Sequence, residues 1–161
     1  MHRVAQFFGH VTARVSADEE ARARSILPAS ARSLFDGMPI ADRRHALDVV
    51  ERLLAAGIDD RDVLTAALLH DAAKGHRMRL WHRVAGVLLE ALAPSALGRL
   101  ASPNPRSWRY PFHLYVHHAV LSAGAALAGG CSERSAGFIR GSVGSADGAL
   151  LTILKAADEA S

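Results

Sequence analysis

Residues 42–75 read DRRHALDVVERLLAAGIDDRDVLTAALLHDAAKG, and this stretch decides the fold. Asp42 is expected to cap a helix that carries His45, Leu47, Val50, Leu53 and Leu54 and stops at Gly57. Asp59 and Asp60 open a second helix, with Val63, Ala67, Leu68 and Asp71, which leads to Gly75. Both segments place acids at the start and a glycine at the end. Acids complement the positive end of the helix dipole, and glycine accepts the left-handed backbone that closes a helix. The spacing of the apolar residues follows the helical period rather than the alternation of a strand.

The rest of the chain reads the same way. An amphipathic segment covers about 3–15, and Ser16-Ala17-Asp18-Glu19 offers an N-cap for a helix over about 18–27 that stops at Pro28. A short piece with Leu34 and Phe35 ends at Gly37. Further helices are expected over about 80–93, from Ser95, over about 112–128, over about 132–140 and over about 145–159. The Pro-rich stretch SPNPRSWRYP (102–111) reads as a loop, and GSVGS (141–145) as a flexible one. Alternating β-branched runs do not occur. The expected class is all-α, a single-domain helical bundle.

The composition agrees. At 161 residues, half of them hydrophobic and 22% charged, the chain is long enough to bury a core. Its 17 Arg and 2 Lys against 16 acids leave a formal charge of +3, a small surplus that suits an anionic small substrate. Arg favours bidentate contacts to phosphate. The arginines are dispersed and no basic recognition helix stands out, so a helical nucleic-acid binder is disfavoured. Cys131 is the single cysteine, which excludes an intrachain disulfide and leaves the cytoplasm as the default setting. No secretory signal and no membrane span are expected, because no apolar run approaches ~18 residues without a charge or a helix breaker.

The chemistry concentrates at LLHDAAKG (68–75). A histidine and a carboxylate side by side at the apolar end of a helix are costly to leave unpaired, and one bound cation satisfies both. A helix continued to Gly75 sets Lys74 on the face of His70, with Asp71 about 100° round. The plainer reading is a polar helix end with His and Lys favoured by the dipole. His45 either meets His70 across the helix pair or faces solvent among Arg43 and Arg44. Asp158 either closes the buried face of Ile153, Leu154 and Ala157 or lies exposed near the chain end.

A histidine, then His-Asp one helix later, then an Asp on the last helix resembles the HD superfamily of metal-dependent phosphohydrolases. The resemblance rests on His45, on LLHDAAKG and on LLTILKAADEA (150–160), and covers about 38–159. It implies an HD-type domain over 38–161, with 1–37 as a helical extension packed on its core. It implies His45, His70, Asp71 and Asp158 as ligands of a divalent ion, which the ligand types leave open among Mn, Fe, Mg, Zn, Co and Ni. It further implies hydrolysis of a nucleotide or other small phosphoester. In that reading Asp71 hydrogen-bonds the nucleophilic water and Lys74 faces the phosphate oxygens.

Members with two metals, such as the HD-GYP phosphodiesterases, add histidines. HHAVLSAGAAL (117–127) resembles their extra helix, with His118 on a stripe with Leu114, Leu121 and Ala125 as the candidate second-metal or pocket residue. The later His pair of those proteins is replaced here by Gly141-Ser142, so one ion is expected; a second would bind through His118, with His82 or His113 substituting for the missing pair. His113 and His117, at i and i+4, form a less specific pair. His82 either touches the pocket or packs beside Trp81. Arg77, Arg79, Arg83, Arg109 and Arg140 are phosphate candidates, with Arg77 and Arg109 singled out alongside His82. Trp108 and Tyr110 either stack on a base or anchor their loop. The rival function is a catalytically weakened HD-like helical module that binds a nucleotide or a protein partner. The oligomeric state is open.

Overall fold

The computed structural model describes residues 14–161, and over them the chain is an all-α bundle without strands. The segment expected over about 3–15 lies almost entirely outside the described residues. The helices are α1 (Ala17–Ile26), α2 (Arg32–Asp36), α3 (Ile40–Ala55), α4 (Arg61–Leu69), α5 (Leu80–Leu92), α6 (Pro94–Leu100), α7 (Tyr110–Ala128), α8 (Glu133–Arg140) and α9 (Gly148–Ala160). Short 3-10 turns precede α2 and α9.

α4 is the axis of the bundle. Every residue from Val63 to Leu69 is buried. A helix apolar on all sides is stable only when wrapped on all sides, and α1, α2, α3, α7, α8 and α9 all pack against it. Ala23, Leu27, Ala31 and Phe35 from the N-terminal helices join Leu47, Val50 and Leu53 of α3 in the same core. α5 and α6 pack on α7 at one side of the bundle.

Several helix ends follow the local signals. Ser16 and Glu19 form a reciprocal capping box on α1. Asp60 accepts from the backbone of Asp62 and Val63 and caps α4. Gly141 closes α8 in the left-handed conformation (φ 72°), with Gly141 N–H donating to Phe138 O and Ser142 N–H to Gly137 O at 3.0 Å each. GSVGS, expected to be flexible, thus begins as a hydrogen-bonded cap.

Other expectations are corrected. Asp42 does not cap α3, which starts after Pro39. Asp42 lies in the first turn, 1% exposed, with Arg83 Nη2 of α5 at 2.6 Å from Oδ2. The helix leading to Gly75 ends at Leu69, and residues 70–77 are turns. The ladder breaks because Ala73 N–H donates to Ser122 Oγ of α7 at 3.0 Å instead of to Leu69 O. Ala72 and Lys74 N–H reach back only three residues. The buried face of α7 runs through Leu114, Ser122, Ala123 and Ala126, while Leu121 is 37% exposed. Among the described residues no helix is long and apolar enough to cross a membrane.

Candidate metal centre

His45 on α3, His70 at the end of α4 and Asp158 on α9 meet at the edge of the core. His45 Nε2 is 2.8 Å and His70 Nε2 3.4 Å from Asp158 Oδ1, and one ligand atom from each of the three lies within 4.8 Å of the others. The imidazoles stand edge to face, centroids 5.4 Å apart. His70 Nδ1 is 2.9 Å from Ala67 O in the turn before it, so its Nδ1–H donates to that carbonyl and Nε2 turns to the cluster. Ligating histidines are oriented by such backbone contacts.

Asp71 is placed differently from the expectation. It adjoins the three without joining their compact group. Its Oδ2 accepts from Lys74 Nζ at 2.6 Å. Its Oδ1 is buried without a hydrogen-bond partner, 3.7 Å from His70 Nε2 and 3.9 Å from His118 Nε2. His118 behaves like His70, with Nδ1 2.8 Å from Tyr115 O and Nε2 directed inward. An orphaned carboxylate oxygen faced by two imidazole nitrogens is the arrangement a cation would relieve.

The electrostatics couple these groups. Burial disfavours the charged form of His70, but the Asp71 and Asp158 carboxylates outweigh it and push its pKa up to about 9. Burial also opposes the charge on Asp158, yet hydrogen bonds to His45 and His70 hold it far below the usual carboxylate range. Asp71 is likewise held low against burial, by Lys74 first and then His70. Burial and the Lys74 ammonium pull His118 down. The same donor set, stripped of the His70 proton, presents two imidazoles and a carboxylate, which suits several divalent transition ions.

Two clefts meet at His118. One, of about 560 Å³, has Lys74 and Arg83 at its polar side, the Tyr115 ring, and apolar walls that include Met78, Val87 and Leu97. Gly86 lets Tyr115 close against α5, since a Cβ there would stand 2.7 Å from the ring. The other, of about 250 Å³, is lined by His70 and Asp158 together with Arg140, Gly141 and Lys155.

Of the remaining expected residues, His82, Arg77 and Arg109 are not brought to this centre. His82 is buried at the start of α5, stacked on Trp81, and its Nδ1 accepts from Arg79 N–H at 3.1 Å. Its ring is engaged as a helix cap. Arg77 donates to Pro105 O and lies over the Tyr110 ring. Arg109 donates to Leu100 O at 2.7 Å and to Arg99 O, closing the end of α6. Lys74 is paired with Asp71 and held by a turn, so it does not share a helical face with His70. Tyr110 stacks on His113 and Trp108 packs edge-on against Phe112, contacts that anchor the Pro-rich loop. His113 and His117 lie together on α7, centroids 4.5 Å apart.

Two residues escaped the sequence reading. Lys155 borders the smaller cleft, and its signal was its place one turn before Asp158 on the same helix face. Ser122, fully buried, holds the 70–77 turn, and nothing in a run of small residues distinguishes it. Comparison of the chain with models of protein families, with curated proteins and with solved structures found no match.

Proposed function

We propose that the protein is a metal-dependent phosphohydrolase of the HD type, acting on a nucleotide or other small phosphoester in the cytoplasm. The observation that carries this reading is the convergence of His45, His70 and Asp158 beside the unpartnered Asp71 Oδ1. His45, His70 and Asp158 are the residues that would hold a divalent ion of the series Mn, Fe, Mg, Zn, Co or Ni, with Asp71 Oδ1 as the adjoining oxygen. Such an ion supplies a water of lowered pKa and a Lewis acid for a phosphoryl oxygen.

The chain's own groups divide the remaining work. Lys74 fixes Asp71 by its Oδ2 and leaves Oδ1 as an acceptor for a proton of the attacking water. Lys74 and Arg83 give the larger cleft positive charge, which stabilises substrate oxygens electrostatically. His118, neutral and directed inward, is a donor or acceptor between the two clefts. It is also the residue through which a second ion would be held.

One observation favours the rival reading, a helical module with a weakened site that binds a nucleotide or a protein partner. His45 with Asp158 and Lys74 with Asp71 already form close pairs that satisfy one another. The test separates the two. Purified full-length protein loaded with Mn²⁺, Fe²⁺, Co²⁺ or Mg²⁺ is assayed for bound metal by elemental analysis and for phosphate release from nucleotides. The proposal expects one ion per chain and phosphate release, both lost in His70→Ala. A chain that takes up no ion and releases no phosphate overturns it.

A further inference from the structure

The smaller cleft carries two cations, Arg140 and Lys155, beside the candidate ligands His70 and Asp158. Lys155 lies against Gly141, where a Cβ would stand 3.7 Å from its Nζ. The end of the lysine side chain thus lies beside the glycine that closes α8. Lys155 makes no hydrogen bond or ion pair among the described residues. Arg140 reaches only the mostly exposed Glu133, at 3.7 Å, beyond hydrogen-bonding distance. Two cations without strong partners therefore line the same cleft of about 250 Å³ as His70 and Asp158.

The two clefts differ in kind. The one beyond His118 is about twice as large and has apolar and aromatic walls, which suit an organic group. The smaller one has no aromatic wall but Phe138, and joins its apolar residues to the charges of Arg140, Lys155 and Asp158. A phosphate with a free end fits this pair, with its organic part in the larger cleft and its terminal oxygens toward Lys155 and Arg140. A diester would have to place a second organic substituent between those two cations. It would also bring one negative charge where a monoester brings two.

We propose that Lys155 and Arg140 form a clamp for a terminal phosphate and so make the site selective for phosphomonoesters over phosphodiesters. This rests on the phosphohydrolase reading above, so its test includes a measurement independent of turnover. Mn²⁺-loaded full-length protein is compared on p-nitrophenyl phosphate and bis(p-nitrophenyl) phosphate, and inorganic phosphate binding is titrated by calorimetry. Lys155→Met keeps the alkyl stem against Gly141, and Arg140→Gln keeps polarity and removes charge.

The expected result is a kcat/KM for the monoester at least about tenfold above the diester. Each variant weakens phosphate binding and raises monoester KM by about tenfold, as for loss of one charge-assisted hydrogen bond, with metal content unchanged. A preference for the diester, or phosphate affinity unaltered in both variants, overturns the clamp. If the protein binds metal but cleaves neither ester and releases no phosphate from nucleotides, the phosphohydrolase reading fails and the titration alone decides the clamp. If no metal is taken up, the titration is done on the metal-free chain. Binding weakened by the substitutions then supports the clamp, and absent or unaltered binding overturns it.

Discussion

His45 Nε2 lies 2.8 Å from Asp158 Oδ1, a contact between the third helix and the last across 113 positions of sequence. His70 Nε2 reaches the same oxygen at 3.4 Å. Removing either imbalances a half-buried cluster and strips one nitrogen from the candidate ligand set. His45→Ala and His70→Ala are expected to lower divalent-ion affinity by at least about 100-fold, since even partners one step removed from a metal carry 10- to 100-fold. Titration with Mn²⁺ or Co²⁺ checks this, and circular dichroism confirms that the helices remain.

The raised pKa of His70 predicts how the metal-free protein responds to pH. Its ordinary value of 6.5 is pushed up to about 9, so the folded state binds the proton more tightly than the unfolded state does. That contribution is fully present below about pH 6.5 and is lost as pH rises toward 9. Asp158 and Asp71, both depressed, contribute stability above about pH 4 that is lost in acid. Melting temperature without metal should therefore fall between pH 7 and 9. Metal must displace the His70 proton, so affinity for the ion should rise over the same interval. Calorimetry in buffers of different ionisation enthalpy would register the released proton.

Ser122 ties the chemistry to the core. Its hydroxyl accepts the Ala73 N–H that would otherwise continue the helix, and this fixes the turn bearing Asp71 and Lys74. Ser122→Ala leaves that N–H without its partner, a loss of about 1–3 kcal/mol. Urea denaturation should show it, accompanied by weaker ion binding because Asp71 is no longer held. Weakened stability with ion affinity intact would separate the turn from the site.

The ion pair between Arg83 and the buried Asp42 fastens α5 to α3. Arg83→Met removes the guanidinium from a carboxylate that is 1% exposed. A destabilisation of about 3 kcal/mol is expected, in the range for breaking a buried pair from one side. The midpoint of urea unfolding reports it.

Gly86 meets Tyr115 so closely that Gly86→Ala must move the ring. Overpacking of this kind costs about 1–3 kcal/mol. Because Tyr115 also walls the larger cleft and its hydroxyl donates to Glu90 Oε2 at 2.8 Å, substrate KM should rise with it. A thermal melt and a KM measured on the same variant check both parts.

The legible parts of this protein are those set by neighbours in sequence. The helices over 17–26 and 61–69 announced themselves by Ser16 with Glu19 and by Asp60, because a cap bonds to backbone two or three residues away. The buried character of α4 goes with a run from Val63 to Leu69 in which Thr65 is the one polar residue. His70 and Asp71 stood out because two ionisable groups at an apolar helix end need partners. Which partners they find is decided by packing. The helix over 61–69 stops short because a serine fifty positions on captures one amide. Asp71 turns one oxygen to Lys74 and leaves the other beside His118. His82 and Arg109 are taken up by caps, while Lys155 reaches the cleft on the helix face that carries Asp158. Periodicity and capping act within a turn or two of helix, so the sequence by itself determined most of the elements, and the resemblance to the HD superfamily added His45, His70, Asp71 and Asp158 as expected ligands. The angle at which α3, α4, α7 and α9 cross the core depends on how all their side chains interlock. Only the tertiary structure decided that His45, His70 and Asp158 meet at one point, and which cations lie beside them.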